Sequence, residues 1–236
     1  MQIIIALVAV IAGLVQGVTG FGAGIVMMMA LPSFFAVNTS AGVSTCICLL
    51  LTLTMVITYR KHVNFKKIVP PAILYIITCS ASMYLSKFVN AALMKKVLGG
   101  FLVVLAIYFL FFNNGERKKL SLPVKVACIM ISAVCDGLFG IGGPLMVIYF
   151  MSQCHSTHEY LGTIQTFFLI NCTYNTIFRI INGIIGVEHL MVIGCGIVGI
   201  LIGGFIAGKV VKKLNGDIIR KATYIMIGIA GIINLI

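Results

Sequence analysis

The residues in this chain best placed to do chemistry are glycines. One cluster reads Gln16-Gly17-Val18-Thr19-Gly20-Phe21-Gly22-Ala23-Gly24, and a second reads Asp136-Gly137-Leu138-Phe139-Gly140-Ile141-Gly142-Gly143-Pro144. A chain that turns sharply at glycine and restarts a helix presents backbone N–H groups with no intrahelical partner, at the positive end of the helix dipole. That combination attracts anions. The returning helices are expected to start near Gly22 and near Gly143, where Pro144 suits a first helical turn because it has no donor to leave unpaired. Asp136 is the acidic residue that falls inside an apolar segment, just before the second cluster. A carboxylate placed there is costly, which makes it a candidate for carrying a coupling proton or for excluding a second anion.

Further polar candidates are Thr19, Ser44, Thr45, Gln165, Asn171 and Asn175. Thr45 and Gln165 each follow a glycine, Gly42 and Gly162, by three residues, about one helical turn, so both can face one cavity. Arg179 is expected to snorkel from a helix end toward water. His155, His158 and Glu159 have too few neighbours with ligand spacing for a metal site and read as a solvated loop. The eight cysteines, Cys46, Cys48, Cys79, Cys128, Cys135, Cys154, Cys172 and Cys195, lie in or beside apolar runs and show no CxxC or Cys/His zinc spacing. No Walker A sequence, nucleophile elbow or HExxH occurs, so neither catalysis nor a cofactor is expected.

The elements that carry these residues follow from composition. The chain has 236 residues, 61% apolar and 9% charged, whereas soluble domains are about 45–50% apolar and about 25% charged. This excludes a water-soluble enzyme and leaves an all-α polytopic membrane protein, since open strand edges cannot be satisfied in lipid. The net charge of +12 resides in short clusters between apolar runs, where it signals orientation rather than a nucleic-acid partner. The N-terminus lacks a basic n-region and a small-residue cleavage site, so it is expected to be retained. Apolar stretches run over residues 3–35, 40–59, 68–86, 93–112, 123–151, 160–181, 189–208 and 218–236. The first and fifth exceed the ~30 Å hydrocarbon thickness, and each has a glycine cluster at its middle.

The clusters align at an offset of 120. Gly17, Gly20 and Gly22 fall on Gly137, Gly140 and Gly142, and Gly42 falls on Gly162. At an offset of 125, Asn90, Lys95 and Lys96 fall on Asn215, Arg220 and Lys221. The chain reads as a duplicated unit, with repeats over 1–112 and 123–236 joined by a basic linker over 113–122. Charge then selects a topology. If each over-long segment folds back on itself, one side collects Arg60, Lys61, Lys66, Lys67, Arg117, Lys118, Lys119, Lys125, Lys209, Lys212, Lys213, Arg220 and Lys221, while the other keeps Lys87, Lys95, Lys96 and Arg179. A simple crossing would give no bias, so the positive-inside rule favours re-entrant hairpins of about 15 residues per arm, with tips near the midplane and both termini outside. Three crossings plus one hairpin per half is an odd number of passages, which makes the repeats inverted.

The paired motifs Gly17-Val18-Thr19-Gly20-Phe21-Gly22-Ala23-Gly24 and Gly137-Leu138-Phe139-Gly140-Ile141-Gly142-Gly143-Pro144, in a duplicated chain of this length, resemble the TauE/SafE family of sulfite and organosulfonate exporters. The resemblance covers essentially the whole chain. It departs from the family pattern at Ala23, where a glycine triplet is usual, and at Pro144, which follows only two glycines. It implies export of small sulfur-containing anions across the cell membrane without ATP. The expected substrate-binding set is Thr19, Gly20, Phe21, Gly22, Ala23, Gly24 and Thr45 from one half and Gly140, Ile141, Gly142, Gly143, Pro144 and Gln165 from the other, with Asp136 for proton coupling. The expected partners are a small anion and the lipid bilayer, with homo-oligomerisation left open. The alternatives are an anion channel using the same tips, or a membrane-embedded thiol-dependent sulfur carrier using Cys135, or Cys46 and Cys48.

Overall fold

The computed structural model describes residues 1–111 and 120–210 and the isolated positions 228, 231 and 232. The basic linker residues Arg117, Lys118 and Lys119 and most of the 218–236 stretch lie outside the described residues, as do Lys212, Lys213, Asn215, Arg220 and Lys221. Nine α-helices and no strand occur among the described residues. They are α1 (Gln2–Thr19), α2 (Ala23–Ala30), α3 (Val37–Tyr59), α4 (Phe65–Leu85), α5 (Ala91–Phe111), α6 (Leu122–Phe139), α7 (Gly143–Gln153), α8 (Thr157–Ile181) and α9 (Leu190–Val210).

Six of these, α1, α3, α4, α5, α6 and α9, are long and apolar enough to cross a membrane. At 25 residues α8 is longer than any of them, but its buried Gln165, Asn171, Asn175 and Arg179 make it more polar. It is tolerated because it lies inside the bundle, where other helices supply its partners.

Element lengths recur along the chain. Helices α1 and α6 each have 18 residues and begin 120 apart, at Gln2 and Leu122. Helices α4 and α9 each have 21 residues and begin 125 apart, at Phe65 and Leu190. The packing crosses between the two series: α1 lies along α9, α6 lies along α4, and α3 pairs with α8 at the centre. Close approach explains the small residues at these seams. A Cβ at Gly17 would collide with Ala207 of α9, and one at Gly137 would stand 2.7 Å from Ser82 of α4, the corresponding position. For these two glycines the reason is helix packing.

Each over-long segment breaks into a long and a short helix that pack on one another. The Gln2 side chain reaches Met191 at 3.0 Å, and the Phe35 ring lies 5.6 Å from that of His189. Both ends of the first segment therefore meet the α8–α9 turn, at what we call the first end of the molecule. Lys87 donates to Asn182 there at 2.7 Å. At the opposite, second end, the turn after α3 meets the turn before α8, with His62 and His158 stacked at 5.3 Å and Lys67 paired to Glu159 at 2.6 Å. The arms are less equal than the sequence suggested. Helix α1 spans about 27 Å, whereas α2 has only 8 residues and α7 has 11.

Candidate functional site

The two long helices end in the same way. Gly20, with φ 82°, follows α1 in the left-handed conformation, and its N–H donates to Gln16 O at 2.7 Å. Gly140, with φ 66°, does the same to Asp136 O at 2.8 Å. This is the usual glycine-terminated helix end, and a β-carbon there would be strained. Three residues later each segment restarts as a helix, at Ala23 and at Gly143.

Each elbow docks on the other half of the chain. Gly20 lies against Leu161 and Tyr160 in the first turns of α8, and Gly140 lies against Ala41 in the first turns of α3. Ala41 and Leu161 are themselves 120 apart. The elbows also touch one another, since a Cβ at Gly24 would stand 2.8 Å from Gly140 O.

Between them lies a cavity of about 60 Å³, room for a solute of a few heavy atoms. Gly22, Gly24 and Ile25 line it from the first elbow, and Gly140, Ile141, Gly142 and Gly143 from the second. Helix α3 contributes Ser44, Thr45, Cys48 and Thr52, α8 contributes Phe168, Asn171 and Cys172, and Gln16, Tyr75 and Asp136 complete the wall. The first intrahelical bond of α2 runs from Val26 N to Gly22 O at 3.1 Å, so the earlier amides have no intrahelical acceptor. The starts of α2 and α7 thus present donors and positive dipole ends to one space. Ser44 Oγ is buried on the same wall, beside the Cys48 thiol and with no oxygen or nitrogen partner, leaving a hydroxyl ready for a solute.

The remaining residues expected at the site surround the cavity and hold its walls. Thr19 Oγ1 bonds Val15 O at 2.8 Å and Phe21 O at 2.7 Å, bracing the first elbow. Gln165 Nε2 donates to Gly20 O at 2.5 Å, and its Oε1 accepts from Gln16 at 3.4 Å. Phe21 packs over Gly143, where a Cβ would stand 3.7 Å away. Ala23 and Pro144 are buried in the first turns of their helices. Thr45 lines the cavity while its hydroxyl donates back to Ala41 O at 2.7 Å.

Comparison with known proteins decides what kind of molecule carries this site. The sequence profile of the sulfite exporter TauE/SafE family matches residues 5–233. The chain belongs to the TauE/SafE family. A probable membrane transporter protein of Methanocaldococcus jannaschii is 24% identical over 155 residues, covering 60% of this chain and 58% of that protein. No solved structure matches. This TauE/SafE protein is a multi-pass membrane protein of a transporter family.

Around Asp136 the structure of this TauE/SafE chain places the expected Asn175 and adds Tyr75, Cys79 and Ser132, which sequence reasoning did not assign to the site. Asn175 Nδ2 donates to Asp136 Oδ2 at 2.8 Å, and Cys79 Sγ donates to Asn175 Oδ1 at 3.4 Å. Tyr75 is buried, and its hydroxyl would be struck by any Cβ at Gly142. Ser132 Oγ donates to the Gly142 carbonyl and ties the elbow back to α6. Gln16 was legible in principle because it precedes Asp136 by 120. Tyr75 was not, because its counterpart at an offset of 125 is Ile200.

Arg179 corrects the snorkelling expectation. It is 0% exposed and is the largest of the fully buried side chains among the described residues. The bundle supplies what water would otherwise give it: Asn38 and the last carbonyls of α6 accept its hydrogen bonds. All eight cysteines are free, and Cys48 and Cys172 lie on the cavity wall while Cys135 does not line it.

Proposed function

We propose that this chain is a secondary transporter, working as an exporter, that carries a small sulfur-containing oxyanion such as sulfite or a sulfonate across the cell membrane. The reading rests above all on one observation: the helix starts of both glycine elbows, together with Asp136, wall a single cavity. Sulfur in the substrate comes from the family, whose description is that of a sulfite exporter, while the preference for an anion comes from the amides and dipoles. The binding set is that of the elbows with Ser44 and Thr45, and Gln165 acts by fixing the first elbow.

In this reading the hairpins are re-entrant, the two repeats are inverted, and both termini face outside. The split of basic residues supports it, as does the meeting of Gln2 and Phe35 with a single turn. The paired contacts Gly20–Leu161 and Gly140–Ala41 support a two-fold relation between the halves, and the antiparallel pairing of the corresponding helices α3 and α8, with Asn38 at Arg179 and Tyr59 at His158, supports the inversion. Because each hairpin packs on a helix of the other repeat, the bodies that rock are α1–α2 with α9 and α6–α7 with α4.

Asp136 couples transport to protons. An ionised carboxylate on the cavity wall repels the anion and a protonated one accepts it, so anion binding follows the protonation of Asp136. Uptake by purified protein in proteoliposomes tests the whole reading, with sulfite, sulfate, thiosulfate, sulfoacetate and acetate offered at two pH values. Saturable uptake of a sulfur oxyanion that rises with an imposed proton gradient is the expected result. Flux insensitive to that gradient would make the protein a channel, and loss of activity on replacing all eight cysteines would point to thiol chemistry.

A further inference from the structure

Arg179 stands between the cavity wall and the first end. Its Nη1 donates to Asn38 O at 2.9 Å and to Asn38 Oδ1 at 2.5 Å. Its Nη2 donates to Gly137 O at 2.9 Å and to Asp136 O at 3.4 Å. One cation on α8 thereby joins the first turn of α3 to the last turn of α6, the helix that carries Asp136. The side chain is fully buried, yet its Nε has no partner. A buried cation with one donor unpaired is held less securely than a saturated one, which suits a contact that must open.

The same two positions meet at the opposite end. Adding 120 to Asn38 gives His158, and subtracting 120 from Arg179 gives Tyr59. The Tyr59 and His158 rings lie 6.1 Å apart. The glycines beneath also correspond: a Cβ at Gly42 would stand 3.1 Å from Arg179 Cδ, and one at Gly162 would stand 2.8 Å from Tyr59 O.

We infer that these two contacts are the gates of the transporter: a cationic latch, Arg179–Asn38, closes the first end, and an aromatic contact, Tyr59–His158, closes the second. Arg179 is a positioning residue, since it reaches the carboxylate-bearing turn through its backbone carbonyls. The second end adds the His62–His158 stack and the Lys67–Glu159 pair to its ring contact, so each end has its own closing contacts and loss of the latch favours opening at the first end. This deepens the alternating-access reading above and depends on it.

Side-specific labelling tests the latch. A background with Cys48 and Cys172 kept and the other six cysteines replaced is reconstituted in oriented vesicles, and an impermeant maleimide is applied to each face. Asn38→Ala and Arg179→Lys are expected to raise labelling from the first-end face about tenfold and lower it from the other, the loss of one charged hydrogen bond shifting the population by that factor. Tyr59→Ala should shift labelling the opposite way. Rates from the first-end face that neither variant changes would overturn the latch. Asn38→Ala keeps the test decisive should Arg179→Lys fail to fold, because Asn38 is only partly buried. Sulfoacetate, which does not consume maleimide, reads the site separately. Thiols that it protects, with rates the variants leave unchanged, would overturn the gate alone; thiols that no small anion protects would overturn the transport site itself.

Discussion

Gly22 and Gly142 occupy corresponding positions in the two elbows, but they are glycine for different reasons. Gly22 has φ 99° and its nearest neighbour for an added Cβ is Val15 at 3.3 Å. Gly142 has φ −95°, a conformation open to any residue, but a Cβ would collide with Tyr75 and come within 2.8 Å of Asp136 Cβ. At this position the first elbow requires glycine for its backbone and the second for space. The polar surroundings diverge in the same sense. The first elbow is braced by neutral groups, with Gln16 linked to Thr52 at 3.3 Å and to Gln165. The second is surrounded by Asp136, Asn175 and Arg179. The two elbows share the glycine-ended turn but only one is charged, which places the ionisable side of the cavity in the second half.

The difference can be broken experimentally, beginning where the effect should be greatest. Gly142→Leu is expected to reduce uptake about a hundredfold with membrane insertion intact, the overpacking of ~3 kcal/mol falling on the cavity wall. Transport at the normal rate would mean that Tyr75 and Asp136 yield freely and that the second elbow is no site. Asp136→Asn should abolish a dependence of uptake on pH of about tenfold per unit, as for one obligatory proton, while Gln16→Glu should not create a second such dependence. An unchanged pH profile in Asp136→Asn would remove the coupling role. Gln165→Leu leaves the Gly20 carbonyl unpaired and should lower stability by about 1–3 kcal/mol, read from unfolding in detergent. Gly22→Ala should cost about 1–2 kcal/mol, the penalty of a left-handed alanine, and less than Gly142→Ala. A reversed order of the two alanine variants would invert the assignment of backbone to one elbow and space to the other.

Several features were legible before any coordinates. The glycine clusters mark both elbows, and the helices restart within a residue of where Pro144 and the glycine spacing put them. The offset of 120 reappears in the matched lengths of α1 and α6. Other features were hidden because they depend on distant segments meeting. Arg179 looked like an interfacial residue because nothing near it in sequence could satisfy a guanidinium; its acceptor Asn38 is 141 positions away. Thr19 looked like a cavity residue, yet its hydroxyl is taken up within its own turn.

Local chemistry is written in the chain directly: apolar content fixes the solvent, glycine fixes where a helix breaks, and a repeat fixes which positions correspond. Those properties act over one or a few turns, so spacing alone reveals them. Which elbow meets which helix, what neutralises a buried charge, and where a 60 Å³ space remains are set by packing between segments more than a hundred residues apart, and only the assembled bundle decides them.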